Sequence, residues 1–178
     1  MECLFAGDWM VELDLSKMKK WVLLSLSIWI SILILIQIIA AFAILEEMPE
    51  ACLEESENCS RLAHDDTSYR HGDLKPLSLE TSLDEATEFV EEWFDSRWFS
   101  SSTTKFEGNK TLIHGVDRTE FWLFPDDVHI ELVCIENRVN VTIHSESRLG
   151  LGDLGENQRR LEKMHSDFSE ESWSDTSC

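Results

Sequence analysis

The chain has 178 residues and a formal net charge of −20 at pH 7, with 35 acidic against 15 basic side chains. So acidic a protein repels nucleic acid and anionic lipid headgroups, which excludes a nucleic-acid-binding role. The length is enough for one ordinary domain with a modest core in addition to a membrane helix.

The N-terminal part predicts a membrane anchor. Residues 1–20 form a leader that ends in a cluster of lysines, and the stretch from Trp21 to Leu45 (residues 21–45) contains no charged side chain. A helix of this length exceeds the ~30 Å thickness of a hydrocarbon layer, so we expect a single transmembrane helix. Lysines before the span favour a cytoplasmic N-terminus, which places residues 46–178 in an extracytoplasmic or lumenal space.

Two further interpretations of this segment stay open. Counted from Met18, basic residues are followed directly by the apolar run, which is the arrangement of a signal anchor and indicates that translation starts there. Ala41, Phe42 and Ala43 form an A-x-A cleavage pattern, but the apolar run is longer than the ~7–15 residues of a usual signal-peptide core. An uncleaved anchor is therefore the preferred interpretation.

Residues 46–72 are polar and lack a clear period, which is typical of a stalk. Cys52 and Cys59 flank a short stretch within it, on the side of the membrane where disulfides persist. We expect these two cysteines to be bonded, with a contribution of roughly 2.5 kcal/mol from restricting the unfolded chain. Cys134 is expected to be a buried small hydrophobe, and Cys178 is expected to be free or paired with another chain.

Residues 73–168 carry the patterns of an α+β domain. Ser82 and Glu85 form a capping box that begins a helix, after which apolar residues recur at spacings of three and four. Four strand-like runs follow, at 98–107, 111–122, 128–135 and 139–147, with turn signals at Gly108-Asn109, Pro125-Asp126-Asp127 and Asn137-Arg138. The prediction is a four-stranded antiparallel meander with helices packed on one face.

The last predicted element is a helix with an apolar stripe of Leu161, Met164 and Phe168. A glycine-rich segment at 149–155 leads into it. Beyond it, residues 169–178 are rich in serine and acidic side chains and are expected to be a disordered tail.

Polar groups concentrate around the last strand and the start of the last helix. The candidate site consists of Asp126, Asp127, Ser147, Arg148, Asp153, Asn157 and Arg160. Ser145 and Ser147 continue the inward parity of the strand, and Asp153 or Asn157 is placed to cap the helix. Either aspartate can pair with either arginine. The cluster is a ligand site or a hydrogen-bonded clasp between sheet and helix, and the clasp is the preferred hypothesis.

The same residues resemble a known family, catalogued as domain of unknown function 1499. The motif is Ser147-Arg148-x-Gly150-x-x-Asp153-Leu154-Gly155-x-Asn157-x-x-Arg160, preceded by Phe124-x-Asp126-Asp127-Val128, with Cys52, Asn58-Cys59, Lys75-Pro76-Leu77 and His114 as earlier landmarks. The resemblance covers about residues 52–168. It implies a secreted, lumenal or membrane-anchored domain and carries no activity with it.

Two positions depart from that family's pattern. This chain has His129 where the family usually has Glu, and His144 where it usually has Arg. In a hairpin with a two-residue turn at Glu136-Asn137, the two histidines lie opposite each other on one face. Such a pair can bind a transition metal, but without a third ligand at fixed spacing the preferred interpretation is two ordinary surface residues.

Other chemical patterns are incomplete. Ser147, His144 and Asp127 are the residue types of a hydrolytic triad, but strand alternation puts His144 and Ser147 on opposite faces. Gly150-x-Gly152-x-x-Gly155 matches the dinucleotide fingerprint without the βαβ unit around it. We therefore expect no cofactor.

Glycosylation depends on the host. Asn109 and Asn140 each begin an N-x-S/T sequon and would carry glycans in a eukaryotic secretory lumen. Asn58 begins a third sequon, which is disfavoured because the adjacent Cys59 is expected to be in a disulfide.

These features favour a membrane-anchored binding or assembly module without catalytic activity, working with a protein partner. The alternative is an enzyme that acts on an envelope or lumenal small molecule. It would use Arg148, Asp153, Asn157 and Arg160 as an anion-binding pocket and Asp127 as a base.

Overall fold

A computed structural model of the chain describes residues 15–44, 46–119, 121–150, 152–174 and 177–178. Most of the predicted leader, residues 1–14, and Leu45 at the end of the predicted span lie outside the described residues. The chain divides into two units, Met1–Leu35 and Ile36–Cys178.

Helix α1 runs from Leu15 to Ala40. Its 25 residues from Ser16 are long and apolar enough to cross a membrane, although a signal sequence near an N-terminus has the same character. The helix begins before the predicted residue 21, because lysine is a good helix former and the helix continues through the basic cluster. It ends at Ala40, before the predicted residue 45. Serine hydroxyls within it bond to carbonyls one turn back, at 2.9 Å, which satisfies them without an outside partner.

Among the described residues, the second unit combines a six-stranded sheet with two helices. In chain order the elements are β1 (Cys59–Leu62), β2 (Leu77–Leu79), α2 (Leu83–Asp95), β3 (Ser101–Glu107), β4 (Lys110–Arg118), β5 (Pro125–Ile135), β6 (Arg138–Ser147) and α3 (Glu156–Glu170). The strand order is β1-β6-β5-β4-β3, β2 also pairs with β6, and every pairing is antiparallel.

The predicted α+β class and the β3–β6 meander are confirmed, but the predicted strand count of four is wrong. β1 and β2 both pair along the free edge of β6, β1 with residues 143–146 and β2 with residues 139–141. β1 lies inside the segment predicted as a stalk, and all four of its residues are buried. Strands of three or four residues are too short to show a period, and only the long exposed edge of β6 makes their pairing favourable.

The reversal between β4 and β5 differs from the predicted one at 125–127. It is closed by Thr119 and Phe124, which exchange backbone and side-chain hydrogen bonds at 3.0–3.1 Å. Pro125 begins β5 instead of turning, since proline is tolerated at the first residue of a strand. This placement sets the β4–β5 register and brings His114 opposite His129.

The helices lie on one face of the sheet, as predicted. The Ser82 hydroxyl accepts the Glu85 backbone N–H at 3.1 Å and caps α2. The predicted stripe of Leu161, Met164 and Phe168 is fully buried on α3. With inward residues of the sheet these side chains form the core, which also contains Leu62, Val90, Phe94, Ile113, Val128, Ile130, Leu132, Val139, Val141 and Ile143.

The prediction for Cys52 and Cys59 is confirmed, and the prediction for Cys134 and Cys178 is wrong. Cys52 and Cys59 are bonded, with sulfurs 2.01 Å apart. Cys134 and Cys178, expected to be unpaired within the chain, form a second disulfide at 2.13 Å. Within the predicted tail, Trp173 packs on Phe89 with ring centroids 5.4 Å apart. Trp173 and Cys178 therefore both contact the domain, Cys178 near the end of β5.

Peptide mapping without reduction should recover two crosslinked pairs, Cys52 with Cys59 and Cys134 with Cys178. The second pair excludes a dimer linked through Cys178, so a denaturing gel without reductant should show no dimer band that the change Cys178→Ser removes. Replacing Cys178 with serine should leave Cys134 free to react with a maleimide after unfolding. A Cys178-dependent dimer band would contradict this assignment.

Candidate functional site

Strand β5 divides the predicted cluster between the two faces of the sheet. Successive side chains of a strand point to opposite faces, so Asp126 lies on the helix-covered face and Asp127 on the other. Arg160 pairs with Asp126, and Arg148 pairs with Asp127. The residues predicted as one cluster therefore form two separate networks.

Arg160 is the centre of the first network, on the helix-covered face, and is 5% exposed. Its Nη2 donates to Asp126 Oδ2 at 2.6 Å and its Nε to Asp117 Oδ2 at 2.8 Å. Nη1 donates to Ser145 Oγ at 2.9 Å and to Asn157 Oδ1 at 2.8 Å. All three guanidinium nitrogens have acceptors, so the network fastens α3 to β4, β5 and β6.

Asn157 and Asp153 extend this network toward the predicted stalk. The Asn157 amide nitrogen donates to Ser147 Oγ at 3.0 Å and to the Asn58 carbonyl at 2.9 Å. Asp153 accepts the backbone N–H groups of Gly155 and Asn157 at 2.9 and 2.7 Å, and therefore caps α3. The Arg70 guanidinium donates to the same carboxylate at 3.1 Å.

Several members of this network were missed from the sequence. Asp117 accepts from Arg97 at 2.8 Å as well as from Arg160, and Ser100 also donates to it. Asp117 shares the inward parity of Ile113 and Gly115 on β4. An acidic residue at an inward strand position is a signal that could have indicated a buried cation partner.

The buried carboxyls have pKa values shifted in different directions. Burial alone would raise the pKa of Asp117, but hydrogen bonds from Arg97 and the charge of Arg160 outweigh it and hold the pKa below its ordinary 3.8. The same balance lowers the pKa of Asp153, where backbone N–H donors and Arg70 outweigh burial. For Asp126, burial outweighs Arg160 and raises the pKa.

Acid should destabilise the domain through Asp117 and Asp153. Because their pKa values are lowered on folding, the stability that they contribute is present above about pH 4 and is lost as the pH falls through and below that value. The free energy of unfolding in urea, measured from about pH 6 to about pH 2.5, should fall less steeply for Asp117→Asn than for the unchanged chain. The exposed control Asp66→Asn should keep the original slope, and an unchanged slope in Asp117→Asn would contradict this prediction.

The second network lies on the helix-free face. Arg148 donates to both oxygens of Asp127, at 2.8 and 2.6 Å, and His114 Nε2 lies 2.6 Å from Asp127 Oδ1. The Asp127 side chain is 0% exposed and that of Arg148 is 7% exposed. The bidentate pair is thus sealed from solvent, with His114 as the more open member.

Three histidines form a row across this face. The predicted pairing of His129 with His144 is confirmed, and His114 lies opposite His129 on the other side. The His114 and His129 rings are stacked 4.5 Å apart at an interplanar angle of 5°, while those of His129 and His144 are 6.1 Å apart. Nitrogen lone pairs lie in the ring plane, so two parallel stacked rings do not converge on one ion.

One further set of donor atoms meets beside His144. Among the described residues, Cys52, Cys59 and His144 have ligand atoms within 4.8 Å of one another. The two sulfurs are joined to each other, so in this state the set offers a metal only the imidazole. The preferred interpretation of His129 and His144 as ordinary surface residues is wrong, because they are only 3% and 0% exposed, and the alternative that the pair binds a metal stays untested.

Two cavities adjoin the sheet. On the helix-free face a polar cavity of about 600 Å³ is lined by residues that include Glu50, Arg61, His114, His129 and Glu131. At the end of the sheet where β4 ends and β5 begins, a cavity of about 410 Å³ has apolar walls from Trp122, Phe124, Leu149 and Leu154. Its polar lining includes Asp126, Ser147 and Asp153, which are members of the candidate site.

Together these features define a small α+β domain that follows an apolar N-terminal helix and is held by a buried Arg–Asp network. The chain belongs to the family described as "Protein of unknown function (DUF1499)", whose model matches residues 50–168. This confirms the resemblance drawn from the sequence motifs. No curated protein and no solved structure matches the chain.

Proposed function

We propose that the protein is a membrane-anchored binding module that holds an amphiphilic ligand in the apolar cavity at the end of the sheet. In this proposal α1 is an uncleaved anchor with a cytoplasmic N-terminus, and the domain lies in an extracytoplasmic or lumenal space. The lysines at the N-terminal end of α1 support the orientation, and the two disulfides support an oxidising compartment.

The observation that carries this proposal is the composition of that cavity. Its volume of about 410 Å³ lies in the range of small-molecule sites, which are mostly apolar with a few polar groups that fix orientation. Leu154, on the rim, is 95% exposed, and Trp122 is 39% exposed. Ser147 and the Asp126 carboxyl lie among these apolar residues. Each already accepts a hydrogen bond within the protein, from Asn157 and from Arg160, and each can accept a further one from a hydroxyl at the polar end of an amphiphile.

The enzymatic alternative has less support from the geometry. It needs Arg148 and Arg160 to bind one substrate anion, but the two side chains lie on opposite faces and each is paired with a buried aspartate. Asp127, the supposed base, already accepts from Arg148 and lies beside His114. A charge that is neutralised within the protein contributes little to holding a second anion.

A photoreactive monoacylglycerol, whose head is neutral and carries hydroxyl donors, tests the proposal. The full chain in lipid nanodiscs is illuminated with this diazirine-bearing acyl probe, and crosslinked peptides are identified by mass spectrometry. We expect crosslinks at the cavity wall, on Trp122, Phe124 or Leu149, and competition by the unlabelled monoacylglycerol. Leu154→Asp should reduce this labelling at least roughly tenfold, since a charge at the rim must be desolvated when an apolar chain enters.

Leu53→Asp is the matched control, because Leu53 is also an exposed leucine, at 75%, and does not line the cavity. It should leave the labelling unchanged. Labelling that is confined to α1, or that is equal in both variants, would contradict the proposal.

Replacing Arg148 separates a structural role from a binding role. Arg148→Ala removes both guanidinium donors from the buried Asp127 and leaves it only the neighbouring His114 ring, which should lower the free energy of unfolding by about 2 kcal/mol. Labelling by the acyl probe should persist below the unfolding transition. A stable variant that has lost labelling would instead assign Arg148 to the binding site.

The sequons remain candidates for glycans if the host secretes the domain. Asn109 is exposed in the β3–β4 turn, and Asn140 is partly exposed on β6. Asn58 is less suited, because its amide nitrogen donates to the Ser147 carbonyl at 2.6 Å.

A further inference from the structure

The two sulfurs of the Cys52–Cys59 disulfide have different surroundings. Cys59 is 0% exposed, on β1, and lies opposite Glu146 of β6. Cys52 is partly exposed, in a segment whose neighbouring Leu53 is 75% exposed. An incoming thiol can therefore approach Cys52 from solvent, whereas Cys59 is shielded by the domain.

The buried sulfur lies against an imidazole. His144 Nε2 and Nδ1 are 3.6 and 3.9 Å from Cys59 Sγ, and His144 is itself 0% exposed. The same nitrogen, His144 Nε2, also lies 3.3 Å from the Glu146 carboxylate, which holds the ring in this position. The ring nitrogens are close enough to hydrogen-bond the Cys59 sulfur, and a leaving thiolate that is stabilised in this way departs from a disulfide faster.

We propose that the Cys52–Cys59 disulfide is a thiol-exchange site of fixed polarity, which oxidises an incoming dithiol. One thiolate of the dithiol attacks Cys52 Sγ, the Cys52–Cys59 bond breaks, and its electron pair leaves on Cys59 Sγ beside His144. The second thiolate then attacks the substrate sulfur of the mixed disulfide and releases Cys52. The dithiol loses two electrons and two protons and becomes a disulfide, and Cys52 and Cys59 become two thiols.

The position of the mixed disulfide tests the polarity. The full chain in nanodiscs is treated with reduced glutathione at neutral pH, quenched with N-ethylmaleimide at successive times, and digested for mass spectrometry. We expect the glutathione adduct on Cys52 and the maleimide on Cys59. An adduct that forms predominantly on Cys59 would overturn the proposal, and this measurement needs no variant that has to fold.

The contribution of the imidazole is measured with His144→Gln and with the matched control His165→Gln on α3. We expect the Cys52–Cys59 bond to be reduced roughly tenfold more slowly in His144→Gln and at the original rate in the control. Circular dichroism confirms that each variant is folded before the rates are compared. An unchanged rate in folded His144→Gln would overturn the role of the imidazole, as would an equal loss in His165→Gln.

Discussion

Arg160→Met should lower the free energy of unfolding by about 3–5 kcal/mol, which is a large part of the stability of an ordinary domain. Methionine fills much of the arginine volume, so the loss of stability reports the missing charge and hydrogen-bond donors and not a cavity. The change leaves the carboxylates of Asp117 and Asp126, which are 2% and 1% exposed, without the cation that joins them. It also removes the donor to Ser145 and Asn157. Urea unfolding followed by tryptophan fluorescence measures the difference.

Arg159→Met is the matched control for this change. Arg159 precedes Arg160 on α3, but its side chain is 60% exposed and pairs with Glu156 at the surface. Such pairs contribute little, so the control should stay within about 0.5 kcal/mol of the original chain. A loss below about 1 kcal/mol for Arg160→Met would contradict the buried network. A further variant, Arg160→Lys, should recover only part of the stability because lysine does not reproduce the fork of donors.

Gly115→Ala should destabilise the domain by about 3 kcal/mol through overpacking. A Cβ at this position would lie 2.1 Å from Phe94 Cζ and 2.3 Å from Phe94 Cε1, far inside contact distance. Phe94 is fully buried between α2 and the sheet, so its ring has no free space in which to move. The glycine is required here by the close approach of α2 to β4.

Shortening the opposing side chain tests this explanation. Phe94→Leu alone should destabilise the domain by about 1–2 kcal/mol. In the double variant Gly115→Ala/Phe94→Leu the loss of unfolding free energy should be smaller than the sum of the two single losses, because the leucine leaves room for the new methyl group. Additive losses would mean that the penalty at Gly115 has another origin than the Phe94 ring.

Sequence patterns correctly predicted the elements that are specified by their own residues, without knowledge of the segments they pack against. The capping Ser82 and the apolar stripe of Leu161, Met164 and Phe168 were predicted correctly. The residues that cap a helix and those that form its buried face all belong to one contiguous segment, so their pattern is visible in the sequence. The β5–β6 hairpin was also predictable. Its alternation and its two-residue turn at Glu136-Asn137, both with positive φ, are local features that set the pairing of His129 with His144.

The pairings between distant segments were not predictable in this way. β1 and β2 were missed because a strand of three or four residues is specified by the edge it joins, here β6, and not by its own period. The pairing of Cys134 with Cys178 and the contact of Trp173 with Phe89 join segments that are far apart in sequence, so neither segment carries a local signal of its partner.

By itself the sequence determined the apolar N-terminal helix, the α+β class, the family and the types of residue in the candidate site, since composition, period and motif spacing are properties of contiguous chain. Only the tertiary structure decided that Asp126 binds Arg160 while Asp127 binds Arg148, across two faces of one sheet. The choice of partner depends on which arginine reaches which face, and that is set by the packing of α3 on β4–β6 and by the β4–β5 register.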